Sequence, residues 1–297
     1  MKPHSPIPPA LLHRPFTITD ARRAGLSDGR LRGTDLQRPF YGVRDSGLDP
    51  LTFLQRCQAL ATRLPADAFF SGPTAALLHG APLSLALEAA TTLHVSRPLP
   101  AQAVAVRGTT GHRVTLMGDD VRYPHGLRTS SPVRTWCELG ETLSVPDLVA
   151  VGDFLIFWKL PMTTVEHLTA GLARYPGRRG VKALTRALPL LNERAESRRE
   201  SLFRVFLVDR GFTGFAANHP VTLFGYNHRI DIAFPALKVA FEYQGGHHFT
   251  VKQRREDMTR RARLEAAGWH VMELNVDDLR DPRELEARIR AFLALWA

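Results

Sequence analysis

The chain has 297 residues, 44% of them hydrophobic and 23% charged, which excludes a disordered polymer and leaves room for two domains of ordinary size. Its net charge of +10 and pI near 10.3 point to a polyanion such as nucleic acid; the bland alternative is an Arg- and Ala-rich composition that raises the pI without function. Cys57 and Cys137 stand far apart without metal-type spacing, so they read as small buried residues in a reducing compartment. Met1-Lys-Pro-His-Ser-Pro-Ile-Pro-Pro has no apolar signal region, and no apolar run approaches the ~20 residues of a membrane span. The expectation is a cytoplasmic protein without membrane contact.

Residues 1–15 are Pro-rich and irregular. From Thr17 to Gly25 the pattern is a short helix with a Thr cap and a Gly stop, and a second helix capped by Ser27 or Asp28 follows. Phe40-Tyr41-Gly42-Val43-Arg44 reads as a β-wing strand, which completes the outline of a small winged helix. Arg22, Arg23, Arg30, Arg32 and Arg38 are the candidate phosphate contacts, or else a solvated basic face. His79, His94 and His125 are scattered and read as structural. Arg134 follows Ser-Pro at a helix start and is expected in a buried ion pair. Residues 144–189 are helical in pattern and are assigned to this first domain.

The pieces Leu31/Leu36–Arg38-Pro-Phe40-Tyr-Gly-Val43, Ser71-Gly-Pro-Thr74-Ala-Ala-Leu-Leu-His79-Gly80, Leu93-His94-Val95 and Gly126-Leu-Arg-Thr129-Ser-Ser-Pro132-Val-Arg134-Thr135 occur in an order that resembles actinobacterial proteins similar to AbiEi-type antitoxins of toxin–antitoxin pairs. That resemblance implies a winged helix that binds DNA, often for autoregulation, and a toxin as partner.

A different pattern begins near Asn192. Residues 196–211 form an amphipathic helix ending at Gly211, with Glu196, Glu200, Phe203 and Leu207 on one stripe. A strand around Val221–Phe224 precedes two apolar runs joined by Phe234-Pro-Ala-Leu237. In the first, Ile230, Ile232 and Phe234 alternate with Asp231 and Ala233; in the second, Val239, Phe241 and Tyr243 alternate with Ala240, Glu242 and Gln244. Paired as a hairpin, these runs put Asp231 almost opposite residue 240, with Glu242 its diagonal neighbour roughly 7–8 Å away. Two acids on neighbouring strands suit a shared divalent cation. Residues 252–268 form a helix stopped by Gly268, with six Lys or Arg against two acids between 252 and 263. A buried strand from Trp269 and a closing helix capped by Asp281-Pro complete the unit.

The order helix, three strands, helix, strand, helix, together with Glu196-Ser…Glu200, Asp231-Ile-Ala, Phe241-Glu242-Tyr243-x-Gly245-x-x-His248, Asp257…Arg260-Arg261 and Leu264-Glu-Ala-Ala-Gly268-Trp269-x-Val271, resembles the family related to very-short-patch repair endonucleases within the PD-(D/E)XK superfamily. The fold class this implies is α+β: a winged-helix and mostly helical domain over 1–192, and a restriction-endonuclease-like αβββαβα core with a mixed sheet over 193–297. The resemblance implies Mg²⁺ or Mn²⁺ held by Asp231 and Glu242, with Glu200 as a third acid. Oxygen donors suit Mg²⁺, which polarises a phosphoryl oxygen and acidifies water. It implies His248 or His247 as general base or donor to the leaving oxygen, and Arg260, Arg261 and Arg254 as phosphate contacts. Where the superfamily often has Lys and this subfamily Asp, the chain has Gln244, which can position water but brings neither charge nor basicity.

Two functions follow as expectations. One is a metal-dependent DNA endonuclease in phage defence or repair, directed by its N-terminal domain. The other is a non-catalytic DNA-binding regulator similar to an antitoxin.

Overall fold

The computed structural model describes residues 5–47, 49–177, 179–243, 251–275 and 277–297, without the side chains of 251–254 and 257. The chain is mixed α/β, 42% helical and 18% strand. It divides into two compact units, Met1–Glu141 with Ala173–Gly180, and Thr142–Leu172 with Val181–Ala297. Residues 142–172 and 181–192, assigned from sequence to the first domain, therefore belong with the second unit.

In the first unit, β1 (Phe16–Thr17) leads into α1 (Ile18–Arg23), whose cap is the expected Thr17, with its hydroxyl accepting from the Asp20 N–H at 3.0 Å. The expected second helix is only a 3₁₀ turn, Arg30–Arg32, enclosed by Gly29 and Gly33. Glycine on both sides and the pull of Asp35 on Arg30 leave no length for an α-helix. The wing shortens to β2 (Val43–Arg44), paired antiparallel with β1. Phe16, Ala21, Leu26, Leu31 and Leu36 form a small core beneath.

The unit continues through α2 (Phe53–Ala61), β3 (Phe69–Phe70), α3 (Gly72–Leu78), α4 (Leu85–Glu88), β4 (Leu93–Pro98), β5 (Thr109–Val114), β6 (Val121–Arg122), β7 (Thr129–Ser130) and α5 (Pro132–Leu139). The five strands from β3 on form one sheet in the order β5-β4-β3-β7-β6, mixing parallel and antiparallel pairs. Arg134 is buried as expected, bonded to Glu138 at 2.8 Å and Asp120 at 3.0 Å. Glu138 also accepts from the Gly72 N–H and the Ser130 hydroxyl, tying α3 and β7 to α5. His79 Nε2 lies 2.7 Å from the Ser130 carbonyl and His94 stacks on His112, so both serve the framework. Cys57 and Cys137 are buried and unpaired.

The second unit contains α6 (Val145–Leu155), most of α7 (Val165–Arg174), α8 (Val181–Ala187), α9 (Arg198–Asp209), β8 (Ala216–Leu223), β9 (Tyr226–Phe234), β10 (Val239–Tyr243), α10 (Val251–Ala266), β11 (His270–Leu274) and α11 (Pro282–Ala294). The sheet order is β11-β10-β9-β8, with β10 and β11 parallel and the remaining pairs antiparallel. Phe203, Leu207, Ile232, Phe234, Val239, Phe241, Leu285 and Ile289 join α9 and α11 to one layer of the sheet. Ala233, Ala240, Leu264 and Trp269 form a second layer with α10. β8 starts five residues earlier than expected and carries Pro220 mid-strand, which an edge position allows.

One buried ion pair explains why α6 belongs here. Asp153 of α6 accepts from Arg204 Nη2 at 2.6 Å, the Ser201 hydroxyl at 2.6 Å and the Asn192 N–H at 2.6 Å. Asp153 is 1% and Arg204 8% exposed, so neither charge can be relaxed by water. Removing one partner strands the other. Asp153→Ala is expected to cost about 3–5 kcal/mol in urea unfolding. A loss below about 1 kcal/mol would show that the pair does not hold α6 to α9.

Candidate acidic site at the end of the sheet

The register between β9 and β10 pairs Phe234 with Val239, Ala233 with Ala240 and Ile232 with Phe241. The pairing stops there; continued by one step, the same register would bring Asp231 opposite Glu242, where a diagonal placement was expected. The ladder ends there because the Asp231 side chain takes over: its Oδ2 accepts the Tyr243 N–H at 2.9 Å. On the other side of Asp231, Asn218 of β8 has a φ of +52°, and the β8–β9 pairing skips this step. The alternation of β9 breaks at the same point. Ile230 packs with Ala233, Ala240, Leu264 and Trp269, not with Ile232 and Phe234. In β10 the expected alternation holds, and Glu242 shares the side of Ala240.

Glu242 is 6% exposed and ion-paired with Arg260 of α10, Oε2 to Nη2 at 2.5 Å. Glu200 stands in the first turn of α9; the expected stripe lacks Glu196, because Ser197 is the cap and Glu196 precedes the helix. Glu200 accepts from the Ser197 hydroxyl at 2.8 Å and the Glu196 N–H at 3.1 Å, while the Ser197 hydroxyl accepts the Glu200 N–H. This exchange secures the helix start. Glu200 nevertheless feels the site: burial raises its pKa above the ordinary glutamate value, and the charge of Asp231 raises it further. Burial also raises the pKa of Asp231, against the Tyr243 N–H and Arg260, which favour its ionised form. Two acids are thus held where ionisation is costly, and a cation would relieve both.

Glu196 is bonded to Arg229 and to Lys159, the latter at 3.1 Å. Burial alone would raise its pKa, but these two hydrogen bonds bring it below the ordinary range. Lys159, Arg194 and Arg229 each lie within about 6 Å of the ring of Trp158, which is 45% exposed. Sequence reasoning missed this basic cluster because Trp158 and Lys159 precede Asp231 by some seventy residues. Arg229, two residues before Asp231, was the available signal.

Other expected contacts fall elsewhere. Arg261 faces Glu265 and Glu273, at 2.8 and 2.9 Å, and not the acids. Arg30 is buried against Asp35 and the Ser5 carbonyl and is not free for phosphate. Arg32 and Arg38 are exposed, with Arg38 donating to the Arg32 carbonyl at 2.9 Å. Gln244, His247, His248 and the side chain of Arg254 lie outside the described residues.

Among the described residues no three His, Cys, Asp or Glu side chains form a ready-made metal cage. Mg²⁺ is commonly held by one or two carboxylates with water and substrate phosphate, so the Asp231–Glu242 pair with Glu200 nearby is a donor set of the right chemistry.

No family model matches the chain, and no solved structure matches it. Two uncharacterized proteins of Mycobacterium tuberculosis, from strains CDC 1551 / Oshkosh and H37Rv, are each 29% identical to it over 271 residues, covering 90% of this chain and 95% of theirs.

The raised pKa values carry a sign. An acid protonated more readily in the folded state lowers stability as pH rises from its unfolded value, near 4.5 for Glu200, through its folded value. Glu200→Gln removes that titration. Its melting temperature, measured against the wild type between about pH 4 and 8, should therefore improve with rising pH. A constant difference would show that folding does not raise the pKa of Glu200.

Proposed function

We propose that the second unit is a restriction-endonuclease-like phosphodiesterase core acting on DNA, and that the first unit binds the same nucleic acid. The single observation that carries this reading is the placement of buried Asp231 and Glu242 on adjacent strands just past the last β9–β10 pair, with Arg260 ion-paired to Glu242. Acids on two adjacent strands, a third on the preceding helix and an arginine from the following helix are the groups that phosphodiester hydrolysis requires.

Asp231, Glu242 and Glu200 would hold Mg²⁺ or Mn²⁺. Bound there, the ion supplies charge neutralisation at the phosphoryl oxygen and an acidified water. The remaining work falls to the chain. Asp231 is oriented by the Tyr243 N–H, so one of its oxygens is committed to the backbone and its position is fixed. Arg260 is ion-paired with Glu242, so a cation there would compete with it, and its guanidinium would then be available for a phosphate oxygen. Lys159, Arg194 and Arg229 around Trp158 extend positive charge beside the acids.

The Glu242–Arg260 pair also favours a second reading, a DNA-binding regulator in which the acids are neutralised internally and no bond is cut. Supercoiled plasmid with Mg²⁺ or Mn²⁺ separates the two. The nuclease reading expects nicking or linearisation that falls by more than about 100-fold in both Asp231→Ala and Glu242→Ala, the scale at which disturbed metal sites lose activity. Cleavage that survives both substitutions overturns the assignment to these acids; no cleavage by the wild type leaves the regulator, which should then shift its own promoter fragment in a salt-dependent manner.

A further inference from the structure

The first unit contains a groove of about 1120 Å³ between the start of α1, the turn at Phe40–Gly42, α2 and the entry to β5. Arg38, Arg44, Arg56, Arg63 and Arg107 line it, and among the described residues no Asp or Glu does. Arg22 at its edge is already bonded to Asp28. Four of the five differ from the paired arginines elsewhere in the unit, and the fifth, Arg107, is exposed. Arg38 donates to the Arg32 carbonyl, Arg44 to those of Leu31 and Val43, Arg56 to that of Thr91, and Arg63 to that of Tyr41. Carbonyls orient a guanidinium but leave its charge uncompensated. Burial, followed by the charge of Arg38, lowers the pKa of Arg44, as expected where like charges crowd. Such crowding costs stability and is relieved by a polyanion.

Tyr41 gives the groove an aromatic element. It is 90% exposed, its carbonyl is held by Arg63 Nη1 at 2.5 Å, and that guanidinium lies 5.7 Å from its ring. Gly42, at φ +77°, turns the chain immediately after it and leaves space for Arg63, since a β-carbon there would fall 2.5 Å from Nη1. The ring is therefore presented on a fixed backbone to solvent. Free guanidiniums suit phosphate oxygens, and an exposed aromatic face suits an unpaired base.

We infer that this groove binds a single-stranded segment of nucleic acid, with phosphates on the five arginines and one unpaired base stacked on Tyr41. The inference rests on the nucleic-acid half of the proposed function and is indifferent to cleavage. It differs from the winged-helix expectation, in which Arg22, Arg23, Arg30, Arg32 and Arg38 contact DNA phosphates beside a second helix. That helix is a single 3₁₀ turn, and Arg30 is neutralised by Asp35.

The test is fluorescence anisotropy of the full chain with labelled oligothymidylate of about 20 nucleotides and a duplex of equal length, in EDTA, over a range of salt. Single strand should bind more tightly than duplex. Tyr41→Ala should weaken single-strand binding about 5- to 100-fold without changing duplex binding, and Tyr41→Phe should restore it. Combined Arg38→Ala, Arg63→Ala and Arg107→Ala should reduce the logarithmic salt slope by about 2, because each neutralised phosphate of a single strand accounts for roughly 0.7. Arg107→Glu alone, at an exposed position, should weaken binding without altering the melting temperature. Tighter duplex binding, or variants with wild-type affinity and slope, would overturn the inference. Asp231→Ala should bind normally, so loss of cleavage and loss of groove binding are read separately.

Discussion

The second unit depends on the burial of one charge pair. Asp153 and Arg204 are both removed from water, so their attraction is strong only while α6 and α9 stay in register. Arg204 lies one helical turn beyond Glu200, and Ser201, the residue after Glu200, donates to the same Asp153. The pair therefore sets the rotation of α9 and, with it, the direction from which Glu200 meets Asp231. A hydrophobic contact would hold the helix as tightly but would tolerate rotation. Two directional bonds from α9 to one carboxylate do not.

Fixing α9 in this way has an electrostatic cost at the sheet end. Glu200 and Asp231 are both held where protonation is easier than in water, and Asp231 contributes to the shift of Glu200. Arg260 and the Tyr243 N–H offset part of that cost, and the capping exchange with Ser197 offsets another part. The arginines of the first unit present the complementary case. Arg30 and Arg134 are buried with carboxylates and hold the framework, whereas Arg38, Arg44 and Arg63 lean on carbonyls and keep their charge. The high pI alone does not distinguish these two kinds of arginine.

Local periodicity made much of the second unit legible. The Gly211 and Gly268 stops, the β9–β10 hairpin, the Asp281 cap of α11 and the element order all follow from short-range signals. The buried ion pair at Arg134 was legible from its place after Ser-Pro. Three things were not. The Asp231–Glu242 register depends on the length of the turn at Pro235–Leu237, where Lys238 adopts φ +48°, and composition does not fix that turn. The displacement of Ile230 arises from a side chain replacing a backbone acceptor, which no alternation pattern encodes. The boundary at residue 141 rests on contacts spanning some fifty residues, Asp153 to Arg204, whereas helical pattern alone assigned α6 to the preceding segment.

Pro220 in β8 has a consequence for association. An open edge strand normally offers a row of N–H and C=O groups on which another chain can build. Proline in the middle of β8 removes one donor, and Asn218, two residues before it, takes a left-handed conformation that bends the row. A fifth strand has no straight template on this side. The sheet that carries the acidic site is therefore shielded, at its β8 margin, from growing by strand addition.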